Sequence, residues 1–216
     1  MTEPLKVILA TGNVGKVREF DRLLGPRLSV VGLPSEIGLP EETGRTFAGN
    51  ARLKAEAVAE AVERTMAVLA DDSGLEVGAL GGGPGIRSAR FAGEDARDED
   101  NVTKLLAELD GRAGRDARFV CALCLALPTA WGDHGAGRLI EVEGFLNGEI
   151  TLAPRGYCGF GYDPVFQPRG WSATLAEATA DDKDSVSHRG RACRKLLARL
   201  IDLDLLEGEE QVTHGP

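Results

Sequence analysis

The sequence predicts an α/β fold in which helices flank a central mixed sheet. The chain opens with an apolar strand, a glycine turn and a helical pattern, which together begin an α/β unit. Strand and helix patterns then alternate, whereas residues 117–147 contain two neighbouring strands, so both parallel and antiparallel pairing are expected. The 216 residues fit a single domain, predicted at 1–207, followed by a tail at 208–216 that we expect to be frayed.

The elements of the first half follow from apolar runs and the residues that interrupt them. Gly25-Pro26 ends the first helical pattern, and Thr46 is a candidate N-cap for an Ala-rich helix. The predicted elements are a strand at 6–10, a helix ending near Leu24, a strand at 28–33, a helix from Phe47 to about Glu63 and a strand at 66–70 that ends on Asp71-Asp72-Ser73-Gly74.

Two glycine-rich loops divide the second half. The last helix carries an apolar stripe formed by Ala192, Leu196, Leu197 and Leu200. The predicted elements are a loop at 78–85, a helix at 98–109, strands at 117–127 and 138–147, a loop at 156–164, a short helix at 174–179 and a helix from Ser187 to about Ile201.

Composition excludes several classes of function. A net charge of −9 disfavours binding to nucleic acids or anionic membranes. No apolar run is long enough to span a bilayer and no leader pattern is present, so a cytoplasmic protein is expected. Cys121 and Cys124 form a C-x-x-C within an apolar run that has no second pair of ligands. We therefore expect buried strand thiols and not a zinc or redox site.

Residues 11–16 form the first candidate site. The sequence Thr11-Gly-Asn-Val-Gly-Lys16 follows a strand and opens a helix, where free N–H groups and the positive helix end bind phosphate. The alternative interpretation is that residues 11–16 form an ordinary turn with a surface lysine and bind nothing. A Walker A loop is disfavoured because the glycines are too closely spaced and Val17 follows the lysine.

Four acids are candidates for metal binding and proton transfer. Mg²⁺ on a polyphosphate is usually held by one or two carboxylates, and a general base must reach the attacking water. Asp71 and Asp72 suit both tasks, because they follow a strand and precede a glycine turn. Glu41 and Glu42 fit equally well as solvated loop acids when each is considered alone.

Residues near the C-terminus suit the recognition of a purine. Ser187-His188-Arg189 begins a helix, whose first N–H groups are free, and arginine can bond a purine edge through two atoms. Phe160 lies in a glycine turn and is able to stack on a base. Considered singly, an N-cap serine, surface charges and a core aromatic are the better interpretations.

Taken together, the motifs resemble the inosine triphosphate pyrophosphatase family, also called the dITP/XTP pyrophosphatases. They occur in that family's order over roughly residues 7 to 200, which makes the set specific although each motif is weak. The matching segments are Leu9–Lys16, Glu41–Gly44, Phe47 with Asn50-Ala51 and Lys54-Ala55, Ala70–Leu75, Gly82–Ile86, Ser88–Arg90, Gly159–Pro164 and Ser187–Gly190.

The resemblance implies an elongated, two-lobed fold with the site in its cleft, a homodimer and a Mg²⁺ cofactor. It implies that Asp72 activates water and contacts the metal, with Glu41 as the second ligand and Glu42 as the alternative. The residues implied to bind the phosphates or their metal are Thr11, Gly12, Asn13, Val14, Gly15, Lys16, Lys54 and Ser73. The residues implied to form the nucleoside pocket are Phe160, Gly161, Tyr162, Asp163, Lys183, His188 and Arg189.

The implied reaction is hydrolysis of ITP, dITP or XTP to the monophosphate and pyrophosphate. Fixed donors that bond a 6-oxo group reject adenine, whereas guanine must be excluded at its 2-position by a group that the sequence does not identify. Gly49 departs from the family, which often has an acid before Asn50. The alternatives are a Maf-like pyrophosphatase of pyrimidine or modified nucleotides and a nucleotide-binding regulator without turnover.

Overall fold

The computed structural model describes residues 5–25, 27–131 and 138–207, and its framework is a six-stranded sheet. The strand order is β2-β1-β3-β4-β5-β6. The strands are β1 (Leu5–Leu9), β2 (Leu28–Gly32), β3 (Ala67–Val77), β4 (Asp116–Ala126), β5 (Leu139–Ile150) and β6 (Phe166–Pro168). Strand β1 is parallel to β2 and β3, and the other pairs are antiparallel, which confirms the predicted mixed sheet.

Five α-helices accompany the described strands: α1 (Val14–Leu24), α2 (Phe47–Ala61), α3 (Asp98–Glu108), α4 (Ala180–Val186) and α5 (His188–Asp202). Thr46 caps α2 by accepting from the N–H of Gly49, and Ser187 caps α5 by accepting from the N–H of Gly190. The short helix predicted at 174–179 is a 3-10 turn over Leu175–Glu177. Helix α4 was not predicted, because its mostly charged sequence has no apolar stripe.

The core lies on both faces of the sheet, because successive side chains of a strand point to opposite sides. Val7 and Leu9 of β1 pack in a cluster with residues of α1 and α5, whereas Ile8 packs on the other face with residues of α2. Both faces of β1 are therefore buried over Val7–Leu9. Cys121 and Cys124 are buried free thiols, as expected.

The prediction that a strand ends at Ala70 is wrong. Strand β3 continues to Val77, because β4 pairs with it as far as Val77↔Ala117 and satisfies its main chain. Asp71 and Asp72 therefore lie within a strand and not in a turn. The parallel neighbour β1 stops at Leu9, so both acids lie beyond its carboxyl end.

Four sequence predictions concern features beyond this architecture. None of the helices in the described ranges is long and apolar enough to cross a membrane. The proposed tail at 208–216 lies outside the described residues. The two-lobed outline and the domain bounds 1–207 stay predictions.

Candidate active site

The loop between β1 and α1 presents main-chain donors just past the end of β1. Asn13 caps α1 by accepting a hydrogen bond from the N–H of Lys16 at 3.1 Å. Val14 and Gly15 begin the helix, and the first N–H groups of a helix have no partner within it. The positive end of the α1 dipole therefore suits a phosphate group.

Asp71 is the counter-ion of this loop. Its carboxylate is wholly buried and lies 2.5 Å from the ammonium of Lys16, while the Ser73 hydroxyl and the Cys121 thiol donate to its other oxygen. Burial alone would raise the pKa of Asp71, but the charges of Lys16 and Arg189 outweigh burial and hold the pKa far below its usual range. A carboxylate stabilised so strongly in its ionised form is a weak base.

Asp72 lies in a different environment although it is the next residue of β3. Asn50 of α2 donates to Asp72 Oδ2 at 3.0 Å, and the Lys54 ammonium lies 3.7 Å from Oδ1. Burial raises the pKa of Asp72 to about 6 and the negative charge of Glu42 adds to the effect, while Lys54 opposes it. Asp72 is therefore the better proton acceptor of the two adjacent acids.

Lys54 lies between Asp72 and the loop of acids that precedes α2. Its ammonium donates at 2.7 Å to Glu42 Oε1 and at 2.7 Å to the main-chain oxygen of Asp71. Burial acts to raise the pKa of Glu42, but Lys54 and Arg90 outweigh it and lower that pKa. Glu41 is exposed, and its side chain makes no hydrogen bond or ion pair within the described residues.

Two cations lie near the ring of Phe160. The Lys183 ammonium and the Arg189 guanidinium are each 5.0 Å from the ring centroid. Glu19 of α1 pairs with both, at 3.2 Å from Arg189 Nη1 and 3.8 Å from Lys183 Nζ. Lys183 also bonds Asp163 Oδ2 at 2.6 Å. These charges are almost fully buried, and pairing is what makes burial of a charge tolerable.

His188 is an uncharged member of the same pocket. Its ring stacks on Phe119 of β4, with centroids 4.6 Å apart and planes at 10°. Burial lowers the pKa of His188 far below its usual range, and Arg189 and Lys183 lower it further. Its Nδ1 atom is buried without a hydrogen-bond partner in the described structure. A neutral imidazole with an unsatisfied nitrogen is ready to bond a ligand.

The glycine-rich loop that carries Phe160 is tied at three points. Asp163 Oδ2 accepts from the N–H of Phe160 at 3.0 Å, and Asp98 of α3 accepts from the N–H of Gly161 at 2.6 Å. The Tyr162 hydroxyl donates to the main-chain oxygen of Ser88 at 2.8 Å. Tyr162 and Asp163 therefore fix the loop, and they line the cavity together with Phe160 and Gly161.

The structure brings most of the predicted residues together around one cavity. Lys183 does not line the cavity but bonds Asp163, which does. Asp72 precedes Ser73, which lines the cavity, and Lys54 lies beside Asp72. The Val14 side chain is 64% exposed. The Glu41 side chain forms no hydrogen bond or ion pair with the other predicted residues within the described residues. The predicted residues that line the cavity are Asn13, Lys16, Ser73, Phe160, Gly161, Tyr162, Asp163, His188 and Arg189.

Sequence reasoning gave no role in the site to Glu19, Asn50, Asp98 or Phe119. Glu19 could have been found from the sequence, because it lies three residues after Lys16 and therefore on the same face of α1. Asn50 lies within the Phe47–Lys54 segment, but only the fold shows that it bonds Asp72. Asp98 and Phe119 carry no local signal, since α3 and β4 reach the cavity through the tertiary fold alone.

The donor set fits a metal ion that arrives with a substrate. Within the described ranges, no group of three or more His, Cys, Asp or Glu side chains is placed to hold an ion by itself. Mg²⁺ usually takes one or two carboxylates and completes its shell with phosphate oxygens and water. Asp72 and Glu42 lie on the same Lys54 ammonium, at 3.7 and 2.7 Å, so Asp72 with one acid of the Glu41-Glu42 pair fits that pattern.

The cavity combines an aromatic ring and buried cations at one end with further charged groups beside it. Lysines near a helix N-terminus neutralise phosphate charge, and a partly buried carboxylate of raised pKa removes a proton from water. An α/β sheet with this arrangement at the end of its parallel strands defines a hydrolase of phosphorylated small molecules.

Comparison with known proteins identifies the family. A sequence model of the Ham1 family matches residues 7–199, and the chain therefore belongs to the Ham1 family. The dITP/XTP pyrophosphatase of Bacillus subtilis strain 168 is 47% identical over 196 residues, which cover 88% of this chain and 94% of that protein. The dITP/XTP pyrophosphatase of Exiguobacterium sp. is 48% identical over 200 residues, covering 91% and 97%.

Solved structures agree with this assignment. The Ham1 protein of Staphylococcus aureus superposes with a TM-score of 0.78 at 40% identity, covering 92% of this chain and 99% of that chain. A nucleoside-triphosphatase / dITP/XTP pyrophosphatase from Mycobacterium abscessus superposes with a TM-score of 0.67 at 41% identity, covering 91% and 100%. The α/β fold predicted from the sequence is confirmed.

Proposed function

We propose that this protein hydrolyses non-canonical purine nucleoside triphosphates, ITP, dITP and XTP, to the nucleoside monophosphate and pyrophosphate. The observation that carries the proposal is the continuity of the cleft. A pocket with an aromatic ring and two buried cations adjoins Lys16, which pairs with Asp71, and Ser73, which follows Asp72 on β3. The names of the B. subtilis and Exiguobacterium relatives support the same substrate class.

In the proposed reaction, water attacks the α-phosphorus and Asp72 accepts its proton. The bond from that phosphorus to the bridging oxygen breaks, and the electron pair leaves with pyrophosphate. Lys16 and Lys54 lie beside the two acids and offset the negative charge of the phosphates. Asn50 fixes Asp72 Oδ2, so the other oxygen, Oδ1, is the one that we assign to the proton.

A Mg²⁺ ion would be held by Asp72 and Glu41. Glu42 is already occupied by Lys54 at 2.7 Å and Arg90 at 3.4 Å, whereas the exposed Glu41 carboxylate is free to bind a cation. When bound, the ion neutralises phosphate charge. The role that we assign to Glu42 is to orient Lys54.

Selectivity follows from the groups that surround Phe160. Arg189 and Lys183 are donors only, so they suit the 6-oxo acceptor of hypoxanthine or xanthine and oppose the amino group of adenine. Glu19 holds both cations in place, which makes a mismatched edge costly because the rigid donors stay unpaired. The group that excludes guanine at its 2-position is not among these contacts.

A substrate panel tests the proposal. Purified protein is assayed with Mg²⁺ and ITP, XTP, dITP, ATP, GTP and a modified pyrimidine triphosphate, with inorganic pyrophosphatase added so that released pyrophosphate is detected. We expect ITP and XTP to exceed ATP by at least about 100-fold in kcat/KM, and excess chelator to abolish turnover. Preference for the pyrimidine nucleotide would support the Maf-like alternative, and binding without turnover would support a regulator.

A further inference from the structure

Arg90 lies beside the proposed catalytic groups but has no role in the reaction described above. It ends a 3-10 segment, Gly85–Arg90, that follows the glycine-rich loop after β3. Its Nη1 atom lies 3.4 Å from Glu42 Oε2, and Glu42 Oε1 lies 2.7 Å from the Lys54 ammonium. Lys54 is in turn 3.7 Å from Asp72. A chain of alternating charges therefore leads from the proposed base to Arg90.

The backbone around Arg90 is held firmly. Asn101 of α3 is buried and bonds the chain on both sides of Arg90, donating to the main-chain oxygen of Ala89 at 3.0 Å and accepting from the N–H of Ala92 at 2.8 Å. Ser88 adds a bond from the N–H of Leu75 on β3 at 2.8 Å. The arginine is thus anchored at its main chain while its side chain extends from a fixed point.

Most N–H donors of the Arg90 guanidinium have no hydrogen-bond partner within the described residues. Arginine carries five N–H groups, yet within the described residues this one makes a single hydrogen bond, at the long distance of 3.4 Å to Glu42, and its Nε atom lies 3.9 Å from the exposed carboxylate of Glu94. Its side chain is 29% exposed. Arg115, by contrast, uses its donors within the protein, because it donates to the main-chain oxygens of Leu109, Ile150 and Thr151. Arg90 is therefore available to an anionic ligand.

We propose that Arg90 binds the β- and γ-phosphate oxygens of the substrate and holds the pyrophosphate as it leaves. The inference rests on the proposed function, which places the α-phosphorus at Asp72. The departing group then lies along the charge chain from Lys54 toward Arg90. A guanidinium forms paired hydrogen bonds with phosphate oxygens, and Glu42 keeps it oriented until the phosphate binds.

Calorimetry on the full-length protein tests Arg90 without requiring turnover. Pyrophosphate with Mg²⁺ and, separately, IMP are titrated into the wild type, Arg90→Gln and Arg90→Lys. The matched control is Arg87→Gln, because Arg87 is an exposed arginine of the same segment that forms no ion pair within the described residues. Circular dichroism and the unfolding temperature verify that each variant is folded.

We expect Arg90→Gln to weaken pyrophosphate binding by about tenfold or more and to leave IMP binding within about twofold. The pyrophosphate affinity of Arg90→Lys should fall between those of the wild type and Arg90→Gln. The affinity of Arg87→Gln should match that of the wild type. Pyrophosphate affinity that stays within about twofold in Arg90→Gln overturns the proposal. Equal loss for pyrophosphate and IMP also overturns it, since Arg90 would then act only through the structure of the site. Failure to hydrolyse ITP, with Arg90-dependent pyrophosphate binding retained, would refute the proposed function alone.

Discussion

Glu19 Oε2 lies 3.2 Å from Nη1 of Arg189, and this ion pair joins α1 to α5 beneath the proposed base pocket. Both side chains are at most 6% exposed. Separating a buried pair leaves an unpaired charge in a medium of low dielectric, so the pair links the stability of the protein to the geometry of the proposed recognition site.

The first prediction separates the contribution of Arg189 to stability from its contribution to substrate recognition. Arg189→Ala should lower the free energy of unfolding by about 3–5 kcal/mol, because Glu19 stays buried without its main partner. It should also lower kcat/KM for ITP by the equivalent of about 1–3 kcal/mol, the range for loss of a bidentate base contact, with little effect on the poor substrate ATP.

The double variant Glu19→Gln/Arg189→Ala is the matched control. It removes both charges and should regain stability in urea denaturation, while the ITP-to-ATP ratio of kcat/KM should stay low. If both substrates lose activity in proportion in Arg189→Ala, Arg189 binds phosphate and does not read the base.

The second prediction concerns Asp72. Asp72→Asn should keep the fold and bind nucleotide but lose about 100-fold or more in kcat, which is the usual effect of removing a general base. Asparagine retains an oxygen that accepts from Asn50, so local structure is preserved. Steady-state and single-turnover rates for ITP measure the loss. A rate constant close to that of the wild type would mean that another group accepts the proton.

The third prediction is the pH dependence of stability without divalent metal. The pKa of Asp72 is about 6 in the folded protein and near 3.8 when exposed, so ionised Asp72 destabilises the fold progressively as pH rises from about 4 to above 6. Asp72→Asn should therefore be more stable than the wild type at pH 8, by about 1–3 kcal/mol. The difference should vanish near pH 4, and a difference that is constant across this range would contradict the assignment.

The fourth prediction distinguishes the adjacent glutamates. Glu41→Gln should raise the Mg²⁺ concentration needed for half-maximal rate by about tenfold or more, and high Mg²⁺ should restore turnover. Glu42→Gln should lower the rate about 10–100-fold at every Mg²⁺ concentration, because Lys54 loses the negative charge that orients it at 2.7 Å. Mg²⁺ titrations of both variants measure this, and the opposite pattern would assign the metal to Glu42.

The fifth prediction concerns close packing at Gly74 in β3. A Cβ atom there would lie 2.5 Å from Ser88 Oγ and 2.6 Å from the main-chain oxygen of Gly85. Gly74→Ala should therefore destabilise the protein by about 1–3 kcal/mol and displace the segment that carries Arg90. Gly32→Ala is the control, since no atom lies within 4 Å of its added Cβ. Equal unfolding free energies for the two variants would show that the contact at Gly74 relaxes freely.

Local patterns in the sequence determined most of the elements and the outline of the site. Periodicity and capping residues gave α1, α2, α3 and α5 to within a few residues, because both signals depend on neighbours a few positions apart. The strand, turn and helix of the proposed phosphate loop could be predicted because they follow one another in one continuous segment. The charged helix α4 has no such stripe, and it was missed.

The tertiary structure alone decided the chemical state of each acid. Asp71 and Asp72 are adjacent and identical in type, yet the pKa is lowered in one and raised in the other. The difference arises because Lys16, 55 positions away in the sequence, meets Asp71, whereas burial and Glu42 dominate at Asp72. Strand β3 continued past its predicted end for a similar reason, since its partner β4 begins 49 residues after β3 begins. Desolvation, charge pairing and strand pairing are set by residues that are distant in the chain, and only the folded structure brings them together.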